Sequence, residues 1–82
     1  MEIYSIKYLF DKQVAGFYRD MKTDAETKQE IEDAINLVLG MQVMASAVAD
    51  GSYEEVLAIE HETWEYWLPK FREIQKNLPE KA

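Results

Sequence analysis

Apolar positions recur every three or four residues along three segments of the chain, which is the period of an α-helix. The first stripe comprises Ile6, Phe10, Val14, Phe17 and Met21. It predicts a helix from about Tyr4 to Met21. The opening residues 2–10 are also rich in β-formers, so either a helix or a short strand is compatible with them.

The second segment is bounded by local signals. Thr23-Asp24-Ala25-Glu26 has the pattern of a capping box, and Gly51 suits the left-handed position just after a helix. We therefore predict a continuous helix from about Asp24 to Ala49. At 1.5 Å per residue it would be about 39 Å long, against a diameter of about 30 Å for a globule of this size.

This second helix is apolar nearly all round, which predicts burial on every side. Neighbouring helices of the bundle are one way to cover it, and a second copy of the chain is another. Small residues permit close approach of helices. The second alternative therefore predicts a homodimer, or a larger assembly, with Gly40, Val43 and Ala47 at or near the contact.

The third segment starts with a second capping box, Ser52-Tyr53-Glu54-Glu55, and Pro79 ends it. Pro69 lies within its apolar stripe and predicts a kink or a break near Trp67–Leu68. Short connections favour antiparallel neighbours. Residues 1–82 thus read as one all-α domain, a small antiparallel three-helix bundle with a long central helix and a proline-kinked or split last helix. The third stripe comprises Val56, Ile59, Thr63, Trp67, Phe71, Ile74 and Leu78.

Acidic residues give the chain its net charge of −7 and are concentrated in its middle. Residues 24–65 contain eleven carboxylates and a single base, Lys28. An acidic surface attracts basic partners and repels nucleic acid and anionic membranes. We therefore expect a basic protein partner, no direct binding of nucleic acid, and no membrane.

The third helix carries most of the unpaired acid. At 100° per residue Glu54, Glu55, Glu62 and Glu65 lie on one face, with Tyr53 and Tyr66 at its margins. One interpretation is a docking surface for the basic partner, since tyrosine is frequent in interfaces. The other is a solvated face that aids solubility.

Two residues of this helix stand apart. Glu60 falls within the apolar stripe, flanked by Trp64 and Trp67, so it is predicted to be a buried charge with a specific partner. His61 is the only histidine, and with Glu65 it would supply just two metal ligands, which is too few for a site. We interpret it as a surface residue.

Candidate chemistry is sparse. Glu62-x-x-Glu65 and Glu30-x-x-Asp33 resemble the paired acidic motifs of all-α, magnesium-dependent nucleotide pyrophosphohydrolases, and that resemblance implies a metal-dependent enzyme. The chain has no cysteine and no glycine-rich phosphate loop. We expect no catalytic residues, no cofactor and no metal, and a cytoplasmic location.

These observations favour a non-enzymatic acidic binding protein. It would inhibit a basic, nucleic-acid-handling partner by blocking its surface or mimicking nucleic acid, and its composition is similar to that of phage-encoded inhibitors. An alternative is a homo-oligomeric structural, assembly or chaperone-like adaptor module that works through the second helix. The pyrophosphohydrolase is a third alternative.

Overall fold

The helices follow the three apolar stripes. A computed structural model describes residues 5–49 and 52–80, and the predicted elements at residues 2–4 and at Asp50-Gly51 lie outside these ranges. Three helical segments pack against one another, which confirms the all-α three-helix bundle. The elements are α1 Ile6–Asp24, α2 Lys28–Val48, α3 Tyr53–Glu62, a π-helical turn Thr63–Trp67, and α4 Leu68–Lys76.

The start of α2 differs from the prediction by four residues. Thr27 is the N-cap, and its hydroxyl accepts the Glu30 N–H at 3.3 Å. Thr23 instead belongs to α1, where its hydroxyl donates to the Arg19 carbonyl at 3.0 Å. The predicted box from Thr23 to Glu26 is therefore wrong, because the same Thr-x-x-Glu pattern recurs four residues later and marks the true start.

The other helix starts are capped by serine. Ser5 accepts the Tyr8 N–H at the start of α1, and helix replaces the alternative strand over the described part of residues 2–10. Ser52 accepts the Glu55 N–H at the start of α3, as the second capping box predicted, whereas the Ser52 N–H bonds the Ala49 carbonyl and not the Glu55 carboxylate. With its later start, α2 is 21 residues long, or about 31 Å.

The predicted kink of the last helix takes the form of a π-helical turn. The Leu68 N–H bonds the carbonyl of Thr63, five residues earlier, and Pro69, which has no N–H to donate, follows at once. Positions spaced by four drift by about 40° per step around a straight α-helix. The wider turn offsets this drift and keeps the stripe on the core side, where the buried residues are Ile59, Thr63, Trp67 and Phe71.

The core forms where the three stripes meet. Its fully buried side chains come from all segments: Val14 from α1, Ile31, Ile35 and Val38 from α2, and Ile59 and Phe71 from the third segment. Aromatic rings close one side, since Tyr18 of α1 packs edge-on against Phe71 with ring centroids 5.4 Å apart. This side-chain packing fixes the orientation of α4 relative to α1.

Polar contacts hold the start of α2 against α4. Arg72 donates to Glu32 at 2.7 Å, and Gln75 donates both to Glu32 and to the Lys28 carbonyl. Lys28 in turn donates its ammonium to the Gln75 carbonyl at 2.9 Å. Hydrogen bonds from Arg72 and then Gln75 lower the pKa of the Glu32 carboxyl below its usual 4.5.

The Glu32 contacts predict a pH-dependent contribution to stability. A carboxyl with a lowered folded-state pKa stabilises the fold above its unfolded pKa and loses that contribution as the pH falls through the folded value. Glu32→Gln should therefore lower the free energy of unfolding at neutral pH, and its difference from wild type should vanish in acid. Denaturant titrations across the pH range measure this.

Asp20 provides the matched control, because it is exposed and its side chain has no recorded partner among the described residues. Asp20→Asn should leave the unfolding free energy close to that of wild type at neutral pH. A Glu32→Gln protein whose deficit persists unchanged in acid would rule out the ionic contact as its cause.

Candidate protein-binding face

Lys7 organises the junction between α1 and α3. Its backbone N–H donates to Glu55 at 2.7 Å, so that Glu55 satisfies one of the open donors at the start of α1. Its ammonium lies 2.6 Å from Asp11 and 3.9 Å from Glu62. The hydrogen bond to Asp11 raises the pKa of Lys7 above 10.5, although partial burial opposes the shift.

Asp11 extends this junction to the π-helical turn. Its second carboxylate oxygen accepts the indole N–H of Trp67 at 3.2 Å. Tyr66 packs edge-on against Trp67 with centroids 4.9 Å apart, and its hydroxyl accepts a hydrogen bond from Lys70. The Lys70 ammonium lies over the rings of Tyr66 and Tyr18.

The predicted acidic ridge is therefore divided in two. Glu55 and Glu62 are half-buried and engaged by Lys7, and Tyr66 contacts Lys70. Glu54 and Glu65 are exposed, and no hydrogen bond or ion pair is recorded for their side chains among the described residues. Reversing all four charges, as the ridge would suggest, would disturb the fold as well as the surface.

Glu55 and its neighbour provide a direct test of this division. Glu55→Ala should lower the free energy of unfolding by about 1–2 kcal/mol, because it leaves the part-buried Lys7 N–H at the start of α1 without its acceptor. Glu54→Ala, one residue away and exposed to solvent, should stay within about 0.5 kcal/mol of wild type. Chemical denaturation measures the free energy of unfolding of both variants. Equal losses would contradict the division of the ridge into an engaged and an exposed part.

Glu60 is exposed, so the prediction of a buried charge at this position is wrong. A straight wheel places it beside Trp67. The π-helical turn between them uses an additional residue and moves Trp67 back toward Ile59 and Thr63. Glu60 is thereby left on the solvent side of α3.

Glu60 instead belongs to a continuous exposed surface, which we call the acidic aromatic face. Its three apolar side chains are Tyr53, Leu57 and Trp64, with exposed fractions of 75%, 46% and 58%. At 100° per residue its members span about 140° of the helix surface. The acidic aromatic face comprises Tyr53, Glu54, Leu57, Glu60, His61, Trp64 and Glu65, all of them exposed.

The position of α1 determines where this face points. Contacts with Lys7 place α1 on the side of α3 that carries Glu55 and Glu62. On the helical wheel Tyr53, Glu60 and Trp64 lie about 140–180° from those two residues. The centre of the acidic aromatic face therefore points away from α1.

The outer side of α2 is a second exposed apolar surface. Val43 is 64% exposed and Met44 71%, while Gly40 and Ala47 are exposed as well. The predicted burial of this helix on every side is thus wrong for a single chain. The bundle covers only the side that carries Ile31, Ile35 and Val38, and the predicted homodimer stays a prediction.

A groove of about 270 Å³ runs between α1 and α2 beside this surface. Its walls are almost entirely apolar, with Leu9 and Phe10 on one side and Met41, Met44 and Val48 on the other. The groove could therefore make apolar contacts with a side chain of matching shape. Among the described residues, its lining has no charged side chain.

The carboxylates that resemble the pyrophosphohydrolase motifs do not converge. Within residues 5–49 and 52–80, no three histidine, aspartate or glutamate side chains come together in a group suited to a metal ion. Glu30 is bonded to the cap of α2, and Glu62 lies near Lys7. The two acidic pairs lie on different segments and make no joint site.

By length and composition alone, α2 is also apolar enough to cross a membrane, with a mean hydropathy of 1.3 in its most apolar window. Core helices of soluble proteins meet the same criterion, and the inner side of α2 does line the core. The expected absence of a membrane partner and the cytoplasmic location remain predictions.

No known protein family, curated protein or solved structure matches this chain.

Of the residues predicted to bind a partner, Tyr53, Glu54 and Glu65 share the acidic aromatic face. Sequence reasoning missed Leu57 and Trp64 as members of it. Their spacing from Tyr53, four and eleven residues, is helical and was the available signal. It was obscured because Trp64 was assigned to the core stripe.

Proposed function

We propose that the protein is a non-enzymatic binding protein whose acidic aromatic face docks onto the basic surface of a nucleic-acid-handling protein. The observation that carries the proposal is the exposure of Tyr53, Leu57 and Trp64 inside a rim of exposed carboxylates. Large apolar side chains that stay exposed and contiguous mark interaction sites.

The composition of this face resembles the centre and rim of an interface. Tryptophan and tyrosine carry much of the binding energy in protein complexes when they become buried. Trp64 is more than half exposed, so a partner has most of its ring to cover. Arginine favours the faces of such rings through cation–π contact.

Charge selects the class of partner. Residues 53–65 contain five glutamates and neither lysine nor arginine, and Glu54, Glu60 and Glu65 have no recorded partner among the described residues. A basic surface would supply the missing positive charge. Proteins that bind nucleic acid carry clustered lysine and arginine, so they present such surfaces. By occupying that basic surface, the protein would prevent its partner from binding nucleic acid and would thereby inhibit it.

Affinity capture with matched baits tests the proposal. Wild-type protein, immobilised in nuclease-treated cell extract, should retain basic nucleic-acid-binding proteins. Added DNA or RNA should displace them, because both compete for one surface. The double variant Glu54→Lys/Glu65→Lys should retain none of them.

The matched control is Asp20→Lys/Asp24→Lys, which changes the net charge equally on exposed residues of α1. It should capture the same proteins as wild type. If both double variants lose the captured proteins alike, overall charge explains the binding. If neither loses them, the acidic aromatic face is not the binding site.

A further inference from the structure

The outer side of α2 is a surface that the proposed function does not use. Its four large apolar side chains, Leu37, Val43, Met44 and Val48, are 53–71% exposed. The stretch from Ala34 to Ala49 has no charged residue. An uncharged apolar strip this continuous is the kind of helix face that packs against another helix.

Gly40 lies in the middle of this strip. A Cβ built at this position meets no atom within 4 Å beyond its own turn of the helix, so packing among the described residues gives no reason for glycine. Glycine in a helix interior is unfavourable compared with any residue except proline. The absence of a side chain at this position instead suits a helix that approaches from outside the chain.

The strip has the heptad spacing of a helix–helix seam, with large and small residues in alternation. Leu37 and Met44 occupy one seam position, and Gly40 and Ala47 occupy the other. In an antiparallel pair with its two-fold axis beside residue 42, Leu37 faces Ala47 of the other copy, and Gly40 faces Met44. Each large side chain then meets a small one. A parallel pair would set Leu37 against Leu37 and Gly40 against Gly40.

We propose that the outer face of α2 pairs with the same face of a second copy, antiparallel and about a two-fold axis. A second copy fits because the strip complements itself: each contact of one residue with another is repeated by symmetry. Because the strip has no charge, it offers no electrostatic attraction to a charged partner. On the wheel the seam lies opposite the buried side of α2, so the bundle does not block it.

The size of the strip sets the expected strength. Leu37 to Val48 spans about 18 Å, and a helix with its side chains is about 10 Å wide. Even with α1 residues at the margin this is well under the roughly 800 Å² per partner of a standard stable complex. We expect a dimer that forms in the micromolar range and dissociates on dilution. It is independent of the acidic aromatic face.

Sedimentation equilibrium over a concentration series tests this pairing. Wild-type protein should pass from monomer to dimer as its concentration rises. Ala47→Leu should weaken the dimer by at least about tenfold, because it overfills the small position. Leu37→Ala should also weaken it. The swap Leu37→Ala/Ala47→Leu should restore the dimer, since in the antiparallel register each leucine again faces an alanine.

Ala15→Leu is the matched control, an identical change at an exposed position of α1, and it should leave the dimer unchanged. A monomer at all concentrations overturns the proposal, and binding of that monomer to uncharged phosphatidylcholine vesicles would assign the strip to lipid. If Ala47→Leu does not weaken the dimer, the two copies pair through another surface. A swap that fails to restore the dimer overturns the antiparallel register.

Discussion

Replacing Trp67 with alanine is expected to leave a large fraction of the protein molecules unfolded. Loss of a buried tryptophan side chain costs about 3–5 kcal/mol, and a chain of this length has a total stability of only about 4–12 kcal/mol. Trp67 is 6% exposed, donates its indole N–H to Asp11 and packs against Tyr18 and Tyr66. The variant would lose both the packing and the link to α1.

Trp64 is the matched control for this substitution. It is 58% exposed, so Trp64→Ala should change the free energy of unfolding by no more than about 1 kcal/mol. Circular dichroism during denaturant titration compares the two variants. If Trp64→Ala were the more destabilising, the π-helical turn would be misplaced and the two tryptophans would exchange roles.

The second large effect concerns binding. Glu54→Lys/Glu65→Lys should weaken binding of a captured basic partner by about 100-fold or more, because it places like charges against each other. Trp64→Ala should weaken it by about 30-fold, as loss of a central aromatic side chain does. Neither change should affect the fold, because these side chains are exposed.

Calorimetry with the captured partner measures both affinities, and Asp20→Lys/Asp24→Lys controls for net charge. If the double variant bound the partner with full affinity, Glu54 and Glu65 would contribute only to solubility. Full affinity in Trp64→Ala would remove the apolar centre from the interface. The outer face of α2 would then be the leading candidate for a working surface.

The fold was predictable because its signals are local. Apolar spacing gave the three segments, Ser52 gave the start of α3, and Pro69 gave the irregular last helix. The start of α2 was misplaced because Thr23 and Thr27 both begin a Thr-x-x-Glu pattern. Only the packed structure shows which threonine hydroxyl bonds forward and which bonds back into α1.

The acidic aromatic face was predictable only in part, since two of its determinants are not local. Lys7 lies 48 residues from Glu55 along the chain, and no spacing rule connects them. The π-helical turn alters the angle per residue, so that a uniform wheel placed Glu60 inside and Trp64 in the core. A wheel that allowed for the wider turn before Pro69 would have placed both outside.

The salt dependence of association tests the central claim most directly, namely that the acidic aromatic face docks onto a basic partner. Stopped-flow rates with a captured partner should fall steeply for wild-type protein as salt rises, because screening shortens the range of attraction to about 8 Å at physiological ionic strength. The Glu54→Lys/Glu65→Lys protein should associate slowly, with little dependence on salt. Equal rates for the two proteins at both low and high salt would contradict the account.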